Sequence, residues 1–166
     1  MAASPVQFEK ALPSRRLGLA WIFIWCALAL HVADESIHGF LSLYNPTVTA
    51  LRERLGYWPM PNFTFQEFLI DLTIGILILA ALTPFAFRNS PWMRPLIYFS
   101  AVVLCIANAA GHTLATIFGR TVSTVHFPRP APGFISSPVL LFAGIYALVQ
   151  LRRTPKGSTS DGAGSA

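Results

Sequence analysis

The sequence predicts an all-α protein, a four-transmembrane-helix bundle with both termini cytoplasmic. Three observations lead there. Of 166 residues, 54% are hydrophobic and only 11% charged, with a mean hydropathy of +0.55, whereas a soluble domain carries about a quarter charged residues. The apolar residues gather into four runs separated by segments that carry proline, glycine and arginine. The basic residues divide unevenly between the two sides. Lys10, Arg15, Arg16, Arg88, Arg94, Arg152, Arg153 and Lys156 share one side, and Arg52, Arg54, Arg120 and Arg129 the other. That excess sets the termini inside, and an even number of crossings agrees.

Residues 1–16 read as a cytoplasmic leader ending in Ser14-Arg15-Arg16. The first span, 17–39, opens with LGLAWIFIWCALAL. Fourteen residues rise only about 21 Å at 1.5 Å each, short of the roughly 30 Å hydrocarbon core. His31 and its neighbours must therefore complete the crossing. A basic leader, this apolar core and Ala27-Leu28-Ala29 also fit a cleaved secretory signal. Cleavage there would strip the His31 segment of its helix, so the span is preferred. Residues 40–66 form a long connection broken by Asn45-Pro46, Gly56, Pro59 and Pro61, with Arg52, Glu53 and Arg54 as a solvated loop helix. Tyr57, Trp58 and Phe63 suit the headgroup zone.

The second span, 65–87, should bend near Pro84. The third covers 95–118. A proline-rich loop, HFPRPAPG, leads to the fourth span, 134–151. There Ser136-Ser137-Pro138 has the form of a helix start, with Ser137 as N-cap and Pro138 at the first helical position. A helix from Pro138 rather than Phe134 covers only about 21 Å and would leave an opening near the polar cluster. The tail, 152–166, is small and polar and reads as disordered and cytoplasmic.

The cluster begins in the first span. His31, Asp34, Glu35 and His38 occupy i, i+3, i+4 and i+7, which fall within about 100° of one helix face. The second span adds Glu67 and Asp71, and the third adds Asn108 and His112, each pair at i, i+4. His31 and Asn108 lie at matching rises from the starts of their outward-running spans, and Glu67 and Asp71 open the inward-running one. Four of seven acidic residues and three of four histidines thus share one layer. Each intramembrane charge costs about 2.5–3.5 kcal/mol on insertion scales, so a compensating interaction is required.

Three readings meet that requirement. In the first, His31, Glu35, His38, Glu67 and His112 ligate a divalent metal, and Asp34, Asp71 and Asn108 orient them or act as alternate ligands. Nitrogen and oxygen donors suit iron, zinc or manganese. Glu35-x-x-His38 has the spacing of carboxylate-bridged di-metal bundles, although the third span offers Asn108-x-x-x-His112 in place of a second copy. The chemistry would be metal-dependent oxidation or hydrolysis of a lipidic substrate. In the second reading the cluster is a metal-free acid–base site, an isomerase or lipid-binding protein. In the third it is a hydrogen-bonded network in a structural or accessory subunit of a membrane complex.

Other features carry less. His126 reads as an exposed loop histidine. Asp34 has the further options of capping a helix or pairing with Arg120. Cys26 and Cys105 read as small packing residues. A net charge of +5 without a basic stripe of interleaved aromatics argues against nucleic acid. Membrane lipids are the expected partners. No oligomeric state follows, since Gly75 and Ala81 lack dimer-motif spacing.

At the cluster the chain resembles the family of small bacterial integral membrane proteins named for a His-x-x-Glu-Glu (HXXEE) motif. The motif stands here as His31-Val-Ala-Asp34-Glu35, followed by Gly39-Phe40. Glu67 and Asp71, Asn108-x-x-x-His112 and Pro132-Gly133 match in order. Asp34 stands where the family usually has glutamate, which keeps a carboxylate with shorter reach. The resemblance covers roughly residues 17–151 and implies the architecture, a bacterial inner-membrane location and the importance of these positions. It implies no reaction.

Overall fold

The computed structural model describes residues 5–154, with side chains from Ser14 onward. Residues 1–4 of the leader and residues 155–166 of the tail lie outside the described residues; Arg152 and Arg153, expected to belong to a disordered tail over 152–166, instead complete the last helix. The described chain is helical without a strand, apart from one isolated bridge between Arg120 and His126. The helices are α1 (Pro5–Ile37), α2 (Leu41–Leu55), α3 (Phe65–Ala81), α4 (Thr83–Phe87), α5 (Met93–Phe99), α6 (Asn108–Phe118) and α7 (Ser137–Arg153). A π-helical segment, Ser100–Ala107, joins α5 to α6 without a break.

Three stretches are long and apolar enough to cross a membrane: Ser14–Ile37, Phe65–Phe87 and Met93–Phe118. They match the first three expected spans. Leucine, isoleucine and phenylalanine cover their outer faces, including Leu30, Ile74, Leu77, Val103 and Ile117, all exposed. Such faces are consistent with a membrane protein. The second span breaks at Leu82, because Pro84 has no N–H for the Ala80 carbonyl. α7 has 17 residues, a rise of about 25 Å, and falls short of the length a crossing needs by itself. It starts at Ser137, with Ser136 in the N-cap place and Pro138 in its first turn. The N-cap expected at Ser137 is therefore displaced by one residue, and the later of the two expected starts is the nearer.

The connection 40–66 is more ordered than its prolines suggest. Gly39 (φ 70°) ends the first span in the left-handed region, and α2 begins two residues later. Pro46 lies inside α2 near its start, where it forgoes only the bond to the Ser42 carbonyl. The segment after α2 is stapled back onto it. Asn45 donates to Phe63 O at 2.8 Å and accepts from Phe63 N at 3.0 Å. Arg52 Nη2 donates to Met60 O at 2.8 Å, and the Tyr44 hydroxyl to Pro61 O at 3.1 Å.

The core lies between α1, α7, α5 and the π-helical segment, where Leu17, Trp21, Ile24, Met93, Ile97, Cys105 and Leu140 are fully buried. Apolar helices gain little by leaving lipid for one another, so close approach and van der Waals contact must hold them. Two glycines permit it. A Cβ on Gly144 would lie 2.7 Å from the Ala101 carbonyl oxygen, and one on Gly18 would strike the Phe87 ring. α3 is the exception to this packing. Only 6% of its most apolar stretch is buried, against 39% for α1. Trp21 Nε1 donates to Leu79 O at 2.8 Å and ties its far end to α1; toward its start a gap opens.

Candidate functional site

Three side chains converge near that gap. α1 presents His31 and Glu35 one turn apart on its inner face, and α6 presents His112 opposite them. His31 Nε2 lies 3.2 Å from His112 Nε2. Glu35 Oε1 is 3.2 Å from His112 Nε2 and 3.5 Å from His31 Nε2. All three residues are buried, His31 at 1% exposure. Among the described residues they form the one group of histidine, cysteine or carboxylate side chains able to share an ion.

The distances have a chemical meaning. In a tetrahedron with metal–ligand bonds of about 2.0–2.1 Å, neighbouring donor atoms stand about 3.3–3.4 Å apart. The three edges here bracket that value. Two imidazole nitrogens and a carboxylate oxygen brought this close also need a cation between them, either a metal ion or a shared proton, to relieve lone-pair repulsion.

Tautomer and orientation are set by a second layer. The Ser136 hydroxyl donates to Asp34 Oδ2 at 2.7 Å and lies 2.8 Å from His31 Nδ1. A hydroxyl has one proton, so Ser136 accepts from His31 Nδ1–H, and His31 Nε2 is left with its lone pair toward the centre. The Ser136 backbone N–H also donates to Asp34 Oδ2, at 2.8 Å. Asp34 thus caps α7 from another helix, where a carboxylate complements the dipole; it does not pair with Arg120. The Ser137 hydroxyl donates to Gly133 O at 2.8 Å and holds the loop before α7 in a tight turn. Gly133 (φ 84°) passes so close that a Cβ would lie 2.7 Å from His112 Cε1 and 2.9 Å from His31 Cε1. The Phe40 ring, 5.6 Å from that of His112, closes the side under α2.

The remaining expected ligands go elsewhere. His38 is largely exposed, and its Nδ1–H donates to Asp34 Oδ1 at 2.7 Å. Its position one turn beyond Asp34 lets it pair locally and carries it past the buried layer. Glu67 is exposed and forms a capping box: it accepts from Thr64 N at 2.7 Å, while its own N–H donates to the Thr64 hydroxyl. Asp71 is exposed on α3 and faces a cavity it shares with Glu35. Asn108 is half-buried and lines cavities on three sides of the group. His126 is exposed in its loop, with Nε2–H donating to Ser123 O at 3.1 Å. Cys26 is exposed and Cys105 buried, both as free thiols.

Sequence reasoning missed Ser136 as a member of the site, since it carried only a helix-start signal. Phe40 and Gly133 entered only through the family resemblance, with no role attached. Comparison with family models, with curated proteins and with solved structures returns no match.

Proposed function

We propose that the chain is an integral membrane protein that binds one divalent metal ion on His31, Glu35 and His112 and acts on a lipidic substrate. The observation that carries this reading is the triangle of donor atoms, with edges of 3.2, 3.2 and 3.5 Å. Two histidines and one carboxylate suit zinc, iron or manganese, and three protein ligands leave a position for water or substrate, as catalytic sites do. An ion held there supplies a Lewis acid and an activated water, the means for hydrolytic or oxidative chemistry. The chain does the rest: Ser136 and Asp34 hold His31 in its binding tautomer, Phe40 shields His112, and the apolar walls exclude bulk water.

The bilayer arrangement belongs to the same proposal. α7 would be the fourth crossing, lengthened by the loop 131–136, whose Ala131, Gly133 and Ser136 are buried, since non-helical backbone is tolerated at membrane depth where protein covers it. The excess of basic residues then sets both termini in the cytoplasm. His31, Asp34, Glu35, Asn108, His112 and Gly133 all surround one site, which supports placing the chain among the His-x-x-Glu-Glu proteins of bacterial inner membranes.

A second reading has its own support. A proton on His112 Nε2, shared with Glu35 Oε1 at 3.2 Å, also satisfies the group and gives a metal-free acid–base site. Element analysis of the full chain, purified in mild detergent without chelators, separates the two. About one iron, zinc or manganese per chain is expected, and its loss in Glu35→Gln and His112→Ala with helix content unchanged. A folded wild-type chain free of metal would establish the acid–base reading instead.

A further inference from the structure

Three cavities meet at Asn108. The first, of about 430 Å³, lies between α1, α3 and the π-helical segment and is walled by Leu28, Val32, Ile76, Leu79 and Leu104. The second, of about 270 Å³, extends beneath α2 and is bordered by Tyr44, Met60 and Asp71. Glu35, Leu72 and Asn108 line both, so the two make one bent space, with an apolar arm and a largely aromatic arm that carries Asp71. Small-molecule sites share this size and this pattern of apolar walls with a few polar groups.

Two residues on its walls have no other evident duty. The Asn108 side-chain amide makes no hydrogen bond to another described residue and lines this space with its donor unused. Gly75 sits in the middle of α3, where glycine weakens a helix. It is not needed for close packing, because a Cβ there would meet nothing within 4 Å. It lines the apolar arm and leaves that space open.

We infer that the bent space binds one single-chain lipid with an uncharged oxygen head, an alcohol or an aldehyde. Its chain fills the apolar arm, and its head accepts a hydrogen bond from the Asn108 amide beside Glu35. The inference names a substrate class for the site proposed above and rests on that reading for the reaction performed. One acyl-length chain fills a cavity of this volume, whereas the two chains of a glycerophospholipid exceed it. A carboxylate head in the second arm would meet the exposed carboxylate of Asp71. Asn108 acts here as a positioning residue.

The test uses the full chain in detergent, native mass spectrometry and hexadecan-1-ol as the probe, with hexadecanoate and a two-chain phosphatidylethanolamine as comparators. One hexadecanol adduct per chain is expected, at least tenfold tighter than either comparator. Gly75→Leu, which fills the apolar arm, and Asn108→Leu, which removes the donor, should each weaken it at least tenfold with bound metal at the wild-type level. An adduct unchanged in either variant, or a preference for the carboxylate or the two-chain lipid, overturns the inference and leaves the metal reading standing. A folded, metal-free chain that still takes hexadecanol in a Gly75- and Asn108-dependent way keeps this inference and overturns the metal reading.

Discussion

Ser136 occupies the N-cap place of α7 without capping it. Its hydroxyl instead links Asp34 to His31, and Asp34 supplies the cap from 102 residues away. Removing such a partner of a metal-bound histidine typically costs about 10–100-fold in metal affinity. Ser136→Ala should therefore weaken metal binding by about that factor, read by competition with a chromogenic chelator, while far-UV circular dichroism stays unchanged. His38 gives the opposite expectation. It is exposed and pairs with Asp34, so His38→Ala should leave the metal content near one per chain. Its stability loss should be no more than about 1 kcal/mol, as for a solvent-accessible pair. At this scale the sequence was informative wherever residues share one helix turn. The i, i+4 spacing put His31 and Glu35 together, and the Asn108-x-x-x-His112 pattern singled out the third member. The same spacing misassigned Glu67, because Thr64 three residues earlier gave that carboxylate a local partner at the helix start. The role of Ser136 was not legible, nor was the reason Gly133 matches the family, since both arise only when a distant loop folds back over the imidazoles.

Among the elements, α2 and the π-helical segment depart furthest from expectation. Pro46 and its neighbours read as breakers, but a proline near a helix start forgoes little, and five hydrogen bonds to residues 60–63 hold the helix against its own connection. No local pattern announces the π-helical turns. They precede Asn108 and His112 directly, and such turns are frequent at functional sites because they re-aim the helix that follows. The apolar runs did give the three long spans, and the Ser-Ser-Pro pattern gave the late start of α7 to within a residue. The shortness of α7 makes its crossing the element most in need of a direct test. A single cysteine introduced beside Arg152, in a chain with Cys26 and Cys105 replaced by serine, should be labelled by an impermeant maleimide only after the inner face is opened. Labelling in intact cells from outside would invert the proposed topology.

Across the whole molecule, one arrangement links burial to chemistry. α1, α6 and the loop before α7 bring ionisable and polar groups to one level, where each offsets the desolvation of another. α3 stands off and leaves a passage to that level from the apolar surroundings. The sequence indicated the common level, because residue counting along helices fixes depth; it did not indicate which helix would stand apart, since that depends on packing between elements. X-ray absorption spectroscopy at the edge of the bound metal tests the central claim most directly. The expected spectrum shows a shell of nitrogen and oxygen only, at about 2.0–2.1 Å, with outer-shell scattering from two imidazoles, the same in His38→Ala as in the wild-type chain. A sulfur ligand, scattering from one imidazole or three, or a count that falls in His38→Ala, would contradict a centre built on His31, Glu35 and His112.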